Sequence, residues 1–151
     1  MTKHLTTIML ALALCGASRA ADWYVPDDGA LQAVITGAAS NDTVWVSNGT
    51  YITNITIGTG VTVRSTSGIP TDVILDGNAN GVFTTRVVNM VSSSWLIGCT
   101  VTNGGGIYGG SASRCKIVGN TAIDFGAGGR DCNFYSCFFI AVIYIKLRCN
   151  H

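Results

Sequence analysis

The chain is divided into short apolar segments separated by turn-forming residues. Apolar residues recur at every second position at Val44/Val46, Ile55/Ile57 and Val61/Val63, with Trp45, Thr56 and Thr62 between them, and Val73 and Leu75 flank Ile74. This alternation predicts strands of only about three to five residues, each ending at Gly, Asn, Asp or Ser. Strands this short cannot bury a face alone, so the sequence requires a stack of neighbouring strands.

A glycine-rich stretch raises a competing interpretation. Gly104–Asn120 reads GGGIYGGSASRCKIVGN and holds six glycines, a density typical of a flexible linker. Apolar residues lie between the glycines, however, and Cys115 and Ile117 alternate like a buried strand. Corners with positive φ favour glycine. We therefore interpret the GGG and GG runs as corners between short strands.

A cysteine-based repeat extends this interpretation. Segments starting at Cys99, Cys115 and Cys132 lie 16 and 17 residues apart, and each has an apolar residue two positions later, namely Val101, Ile117 and Phe134. Residues two apart share one face of a strand. The repeat predicts coils of a β-solenoid stacked about 4.8 Å apart, with the three apolar residues in adjacent layers and the cysteines pointing inward. Both a ladder of free thiols and an interlayer disulfide are open for the cysteines.

Only one segment has the periodicity of a helix. Apolar residues recur at helical spacing from Leu31 to Ala38, which predicts a helix over about residues 29–39. Asp27 or Asp28 is placed to act as its N-cap.

The first twenty residues are typical of a secretory signal peptide. Residues 1–20 have a polar start, a short apolar run from Ile8 to Leu14, and small residues before a cleavage site after Ala20. The apolar run is too short to cross a bilayer. We expect a secreted protein, extracellular or on a bacterial outer-membrane surface, with no transmembrane segment in the mature chain.

The composition of residues 21–151 excludes several partners. Removing Lys3 and Arg19 leaves seven basic residues against eight acidic ones, all Asp, so no basic field favours nucleic acid. Five cysteines remain, an odd number whose spacing matches no zinc motif. We therefore expect neither a metal nor another cofactor.

Two segments carry a family resemblance. DWYVPDDGALQAVI from Asp22 and NDTVWVSNGTY from Asn41 resemble the opening of right-handed parallel β-helix proteins of the pectate-lyase-like superfamily. The resemblance covers about residues 22–137. It implies an all-β solenoid of about five or six coils, with the short N-terminal helix capping the first coil. The superfamily includes lyases, hydrolases and adhesins, so it leaves function open.

A second resemblance concerns the glycine-rich repeat. The GGI at 105–107 and the IVGN at 117–120 are similar to repeats of bacterial polymorphic outer-membrane proteins, although Ile117 stands where that pattern has Phe. This similarity implies a passenger-like module at the cell surface.

The C-terminal segment differs in composition. Residues 138–151 read FFIAVIYIKLRCNH, without glycine, and the continuous apolar run is too short to span a membrane. We therefore divide the mature chain into coils at 21–137 and an atypical apolar segment at 138–151. We interpret the segment as a truncated or frame-shifted end, with a buried final strand as the alternative.

The spacing of the aspartates does not indicate a catalytic pair of carboxylates. Asp72 and Asp76 would lie about 13 Å apart on a strand, beyond the separation of about 5–9.5 Å that glycoside hydrolysis uses. Asp27 and Asp28 fit turn and capping roles. Asp131 could approach Asp124 across coils, but no motif fixes their geometry. An enzyme is therefore the less favoured interpretation.

The predicted coil alignment brings five residues onto one outer surface. Arg114 would lie beside Asp131, and Lys116 beside Asn133, with Tyr135 next to them. One interpretation is a surface ion pair worth about 0–1 kcal/mol. The other is a ligand-binding strip in which Tyr135 stacks on a sugar ring.

These observations lead to one main functional prediction and one alternative. The main prediction is a non-enzymatic adhesin-like or passenger-like surface module that binds extracellular or cell-wall polysaccharide. The alternative is a fragment of a polysaccharide lyase or glycoside hydrolase acting on pectin-like polymers.

Overall fold

A computed structural model describes residues 19–27, 29–78, 85–123 and 127–145. Most of the predicted signal peptide, residues 1–18, lies outside the described residues. So do Asp28, Asp124 and the last six residues of the apolar segment, which include Cys149.

The described residues form one α-helix, one 3-10 turn and a series of short strands. The helix is α1 (Leu31–Gly37), and the 3-10 turn is Pro70–Asp72. The first strands are β1 (Asp22–Val25), β2 (Thr43–Val46), β3 (Gly49–Ile52), β4 (Ile55–Ile57), β5 (Thr62–Ser65), β6 (Val73–Asp76), β7 (Val88–Met90), β8 (Trp95–Ile97) and β9 (Thr100–Thr102). They are followed by β10 (Ile107–Tyr108), β11 (Ser111–Ser113), β12 (Lys116–Val118), β13 (Thr121–Ile123), β14 (Gly129–Arg130), β15 (Asn133–Tyr135), β16 (Phe138–Ile140) and β17 (Ile143–Ile145).

The strands form parallel sheets whose members are not consecutive in the chain. Sheet A has the order β1-β2-β5-β8-β11-β15, sheet B has β3-β6-β9-β12-β16, and sheet C has β4-β7-β10-β14. A fourth sheet, D, pairs β13 with β17. Because successive strands lie in different sheets and pair with strands one passage earlier, the arrangement is compatible with a β-solenoid.

The core consists of the inward-facing residues of these sheets. In sheet A, Val44, Val63, Leu96 and Ala112 lie in register on successive strands and have no exposed surface. Sheets B and C contribute equivalent buried residues, among them Leu75, Val101 and Ile117 in B and Ile55, Val88 and Ile107 in C. The period-two alternation therefore predicted the buried face of these strands correctly.

The predicted helix is present but shorter, and its predicted cap is wrong. Leu31, Val34 and Ile35 are buried, and α1 contacts β1, β2 and β4. The N-cap is Ala30, which makes no side-chain capping hydrogen bond. Asp27 lies instead in the turn that Gly29 closes by donating its backbone N–H to the carbonyl of Pro26.

The corners between sheets use residues with positive φ, as the glycine pattern predicted. Gly109 and Gly110, the predicted GG corner, have φ values of 70° and 60°. A Cβ at Gly109 would overlap the carbonyl of Met90, so the corner needs glycine for space as well as for conformation.

The predicted register is right for one step and wrong for the next. Val101 pairs with Ile117, sixteen residues later, as expected. Ile117 then pairs with Phe139, whereas Phe134 lies in sheet A opposite Ala112. The second step is therefore 22 residues, because the passage from β12 to β14 is six residues longer than the passage from β9 to β10 in the layer before and includes the additional strand β13.

The 22-residue step changes which cysteine belongs to the column. Cys137, rather than Cys132, precedes the sheet B strand of the last layer, as Cys115 and Cys99 do in the layers before it. The predicted stacking of Cys132 on Cys115 is wrong.

Residues of the C-terminal apolar segment supply two strands. β16 pairs in parallel with β12, and β17 pairs with β13. The side chains of these strands whose burial the structure describes are largely exposed, for example Phe138 by 69% and Ile143 by 56%. The prediction of a truncated or frame-shifted end stays a prediction.

Candidate functional site

The outer side of sheet A carries a group of aromatic residues around an arginine. Two register columns point outward there, and they alternate with the buried column of Val44, Val63 and Leu96. We call the group the aromatic face; it consists of Tyr24, Trp45, Arg64, Trp95 and Tyr135. The β1 and β15 strands that bear its end members are five strand spacings apart, which corresponds to about 24 Å.

Trp45 is held between two partners at one end of this face. Its Nε1–H donates to Asp22 Oδ1 at 2.8 Å. The guanidinium carbon of Arg64, directly opposite Trp45 in the pairing of β2 with β5, lies 4.4 Å from the centroid of the indole ring. This is a cation–π contact at short range. Arg64 Nε is buried and has no hydrogen-bond partner among the described residues.

Two stacked aromatic rings lie toward the other end of the aromatic face. The rings of Trp95 and Tyr135 stack with centroids 5.5 Å apart and an interplanar angle of 28°. They belong to strands two positions apart in sheet A, with β11 between them. The stack is possible because β11 presents only Ser111 and Ser113 outward, so the two large rings meet above small side chains. Tyr135 remains 51% exposed.

A polar groove runs along the outer side of sheet C. It is a cavity of about 520 Å³ lined by Asn54, Thr56, Arg86, Asn89 and Tyr108, among others. We call these five residues the polar groove. Thr56, Asn89 and Tyr108 are outward residues of β4, β7 and β10, which pair in order.

Arg86 is fixed in the groove by its neighbours. Its Nη1 donates to the carbonyl of Gly105 at 2.6 Å, and its guanidinium lies 6.0 Å from the centroid of the Tyr108 ring. Asn54 Nδ2 donates to the Arg86 carbonyl at 2.9 Å. Burial, followed by the positive charge of Arg130, lowers the pKa of Arg86 from its usual range. Arginine stays protonated at neutral pH despite such a shift, so the groove holds an oriented cation.

A second cavity adjoins the polar groove and extends to sheet A. It measures about 620 Å³, shares Asn89 and Tyr108 with the polar groove, and extends to Asp131 and Asn133. Asn133 is also an outward residue of β15 in sheet A. The second cavity therefore reaches the register column of sheet A that also contains Trp95.

The structure separates the five residues that the sequence placed on one surface. Asp131 and Asn133 line the second cavity, and Tyr135 lies on the aromatic face. Lys116 is on β12 in sheet B, between Thr100 and Phe138.

The predicted stacking of Arg114 on Asp131 is wrong because it depended on the incorrect 17-residue step. Arg114 occupies the corner after β11, where its backbone N–H donates to the carbonyl of Tyr135. Asp131 instead lies 3.5 Å from Arg130, with both side chains more than half exposed. Such an exposed pair contributes about 0–1 kcal/mol.

Sequence reasoning missed most of the site. Trp45, Arg64, Trp95, Arg86 and Tyr108 were not predicted as candidates. The sequence contained a signal for the first three. Each lies at an outward position of a strand, next to an inward Val or Leu, in the segments TVWV, TVRS and WLI. A bulky aromatic residue or an arginine at the outward position of a strand marks a surface where a ligand can stack.

The carboxylates with the best-defined contacts have structural partners. Asp42 accepts hydrogen bonds from the backbone N–H of Ala21 (2.7 Å), from Trp23 Nε1 (3.0 Å) and from the backbone N–H of Ala39 (2.8 Å). These donors, the Ala21 N–H foremost, lower the pKa of Asp42. Asp76 accepts from the backbone N–H of Asn78 and from Asn103 Nδ2. Neither carboxylate is placed for acid–base chemistry on a ligand.

Comparison with known proteins was made at three levels, namely family models, curated proteins and solved structures. No family model, no curated protein and no solved structure matches the chain. The resemblance to the pectate-lyase-like superfamily therefore stays a prediction.

Two further observations apply to the parts of the chain that the structure describes. There, no group of three His, Cys, Asp or Glu side chains is placed to share a metal ion. None of the helices in these parts has the length and apolar character needed to cross a bilayer.

Proposed function

We propose that this chain is a secreted right-handed parallel β-helix that binds an extended polysaccharide across the aromatic face and the polar groove, without cleaving it. The observation that carries the proposal is the row of aromatic side chains on the outer side of sheet A. These side chains lie on β1, β2, β8 and β15 and extend over about 24 Å along the stack, a length that suits an extended polymer.

The chemistry of the two surfaces supports a carbohydrate ligand over a purely apolar one. Trp and Tyr offer a flat apolar ring together with a polar end. The polar groove on sheet C supplies amide groups from Asn54 and Asn89 and the cation of Arg86, and amides can both donate to and accept from hydroxyl groups. A sugar has the same combination of apolar faces and hydroxyl edges.

A non-enzymatic role fits the carboxylates of the site better than hydrolysis does. Asp131 is the carboxylate in the second cavity, and it is exposed and beside Arg130. Hydrolysis needs a second carboxyl group at a defined distance, and Asp42 and Asp76 are engaged in structural hydrogen bonds.

The test is a binding titration with soluble polysaccharides of two kinds, a neutral glucan and a polygalacturonate. Binding is followed by calorimetry and by tryptophan fluorescence. Trp45→Ala and Tyr135→Ala should each weaken binding at least about tenfold, which is about 1.4 kcal/mol, because aromatic residues dominate such contacts. Arg86→Gln should weaken polygalacturonate binding more than glucan binding.

The matched control is Phe138→Ala, which removes an aromatic ring that is 69% exposed but lies on sheet B. Its affinity should equal that of the unmodified chain. Equal losses in Phe138→Ala and Tyr135→Ala would contradict the assignment of the aromatic face. An assay for new reducing or unsaturated sugar ends should show no turnover; turnover would favour the lyase or hydrolase alternative.

A further inference from the structure

Three cysteines occupy equivalent positions in consecutive layers. Cys99, Cys115 and Cys137 each directly precede a strand of sheet B, and these strands, β9, β12 and β16, pair in register. Adjacent strands lie about 4.8 Å apart. That spacing falls inside the range of about 4.4–6.8 Å that a disulfide tolerates between Cα atoms.

The contacts place the Cys137 sulfur directly over Cys115. The backbone N–H of Cys115 donates to Cys137 Sγ at 3.4 Å. Cys137 Sγ also lies 3.5 Å from the carbonyl of Ala112, a residue of the layer that contains Cys115. The Cys137 side chain therefore points back toward the preceding layer rather than into solvent.

Burial distinguishes the members of the column. Cys99 and Cys115 have no exposed surface, whereas Cys137 is partly exposed in the last described layer. A reagent from solution therefore reaches Cys137 first.

The acidities follow the same order. The hydrogen bond from the Cys115 thiol lowers the pKa of Cys137 to about 6, while the same contact and burial raise that of Cys115. Burial raises the pKa of Cys99 to about 12. Because the thiolate is the nucleophile in disulfide exchange, Cys137 is the member prepared to react.

We propose that Cys115 and Cys137 are an oxidation site that forms an interlayer disulfide by exchange with an external disulfide, such as an oxidised thiol–disulfide oxidoreductase or oxidised glutathione. The Cys137 thiolate attacks one sulfur of the external disulfide and releases the other as a thiolate. The Cys115 thiol then loses its proton and attacks Cys137 Sγ, which releases the second external thiolate. The chain is oxidised by two electrons, and the external disulfide is reduced to two thiols.

Cys115 and Cys137 combine an aligned position with access from solution, and each competing pair lacks one of these two features. Cys99 and Cys115 are stacked in the same way, but both are inaccessible without opening the core. Cys132 precedes β15, in sheet A, and its sulfur lies 3.7 Å from the carbonyl of Asn133. Cys132 is therefore outside the column that aligns Cys115 with Cys137.

The experiment treats the purified, reduced full-length chain with oxidised glutathione and maps the products by mass spectrometry of unreduced digests. The expected product is one intramolecular disulfide between Cys115 and Cys137. Cys99→Ser and Cys132→Ser should still form it, and Cys137→Ser should not. Because tryptic cleavage leaves Cys132 and Cys137 in one peptide, these variants and peptide fragmentation identify the partner.

A second variant traps the intermediate by removing the thiol of Cys115, the buried member of the pair. Cys115→Ala should accumulate a stable glutathione adduct on Cys137, because the resolving thiol is gone, whereas Cys137→Ser should take up no adduct within the column. Three results would overturn the proposal: a disulfide from Cys137 to Cys132 or Cys149, a disulfide between Cys99 and Cys115, or recovery of all thiols unmodified after oxidation.

Discussion

The two ends of the stack differ in how they treat apolar residues. At the N-terminal end, Val25, Leu31 and Ile35 are at most 5% exposed, because α1 packs over the first strands. In the last layer, Phe139 and Ile140 are 48% and 49% exposed, although β16 has the same parallel pairing as the strands below it.

The corners show the same contrast between earlier and later layers. At the corner between sheets A and B, positive φ is adopted by Gly98, then Arg114, then Ser136. At the next corner, Asn103 and Gly119 precede Ala141. Gly and Asn tolerate this conformation, whereas other L-residues meet their own carbonyl groups. Parallel strand pairing thus continues to the end of the described stack. The last layer, however, lacks Gly or Asn at these two corners, and its apolar side chains are not covered.

The largest expected effect tests whether the middle layers carry the stability. Ile117 is fully buried between Val101 and Phe139 in sheet B. Ile117→Ala should lower the free energy of unfolding by about 2–5 kcal/mol, because it leaves a cavity in the core. Ile140→Ala deletes the same atoms from the exposed last layer and should cost about 1 kcal/mol or less. Chemical denaturation of both variants measures the difference; equal losses would remove the contrast between the two regions.

How far the sequence predicts this fold depends on how local the relevant signal is. The buried faces of β2 and β4 follow from alternation alone, and the pairing of Val101 with Ile117 follows from a repeat that includes its own corners. Both properties can be predicted from local patterns in the sequence.

The next step of the repeat could not be chosen from local pattern. Cys132 and Cys137 are each followed two residues later by a phenylalanine, so both fit the repeat. The difference lies in the six extra residues between β12 and β14, which include β13 and delay the return of the chain to sheet A, and no local pattern in the sequence marks this longer passage. The stack of Trp95 on Tyr135 was missed for the same reason, since it depends on the lengths of two successive coils. The outward positions of Trp45, Arg64 and Trp95, by contrast, follow from local alternation.

A smaller effect is expected at the corners. Gly98 has φ of 67°, and a Cβ there would lie 3.2 Å from the Gly68 carbonyl oxygen. Gly98→Ala should therefore lower the free energy of unfolding by about 1–2 kcal/mol. Gly58→Ala is the matched control, because a Cβ at Gly58 meets no atom within 4 Å.

The converse substitution tests the last layer. Ala141→Gly should be neutral or stabilising by up to about 1 kcal/mol, since it relieves a left-handed alanine while loosening the unfolded chain. Thermal unfolding of the three variants gives their order. Destabilisation by Ala141→Gly as large as that by Gly98→Ala would show that the corners of the two layers are equivalent.

The smallest expected change concerns the carboxylate that fastens the N-terminal end. Asp42 joins Ala21, Trp23 and Ala39, and these hydrogen bonds lower its pKa. A carboxyl group whose pKa is lower in the folded than in the unfolded state stabilises the fold above the unfolded pKa of about 3.9, and this contribution is lost as the pH falls through the folded value. Asp42→Asn keeps one acceptor oxygen but cannot titrate.

The expected result is a lower Tm for Asp42→Asn at pH 7 and a gap between the two proteins that narrows as the pH falls below about 3.9. Asp131→Asn is the control. Asp131 is exposed at the other end of the stack, and its ion pair is with the exposed Arg130. Its Tm should follow that of the unmodified chain at every pH. A gap for Asp42→Asn that stayed constant from pH 7 to pH 2 would contradict this prediction, because the contribution of Asp42 would then not depend on its charge.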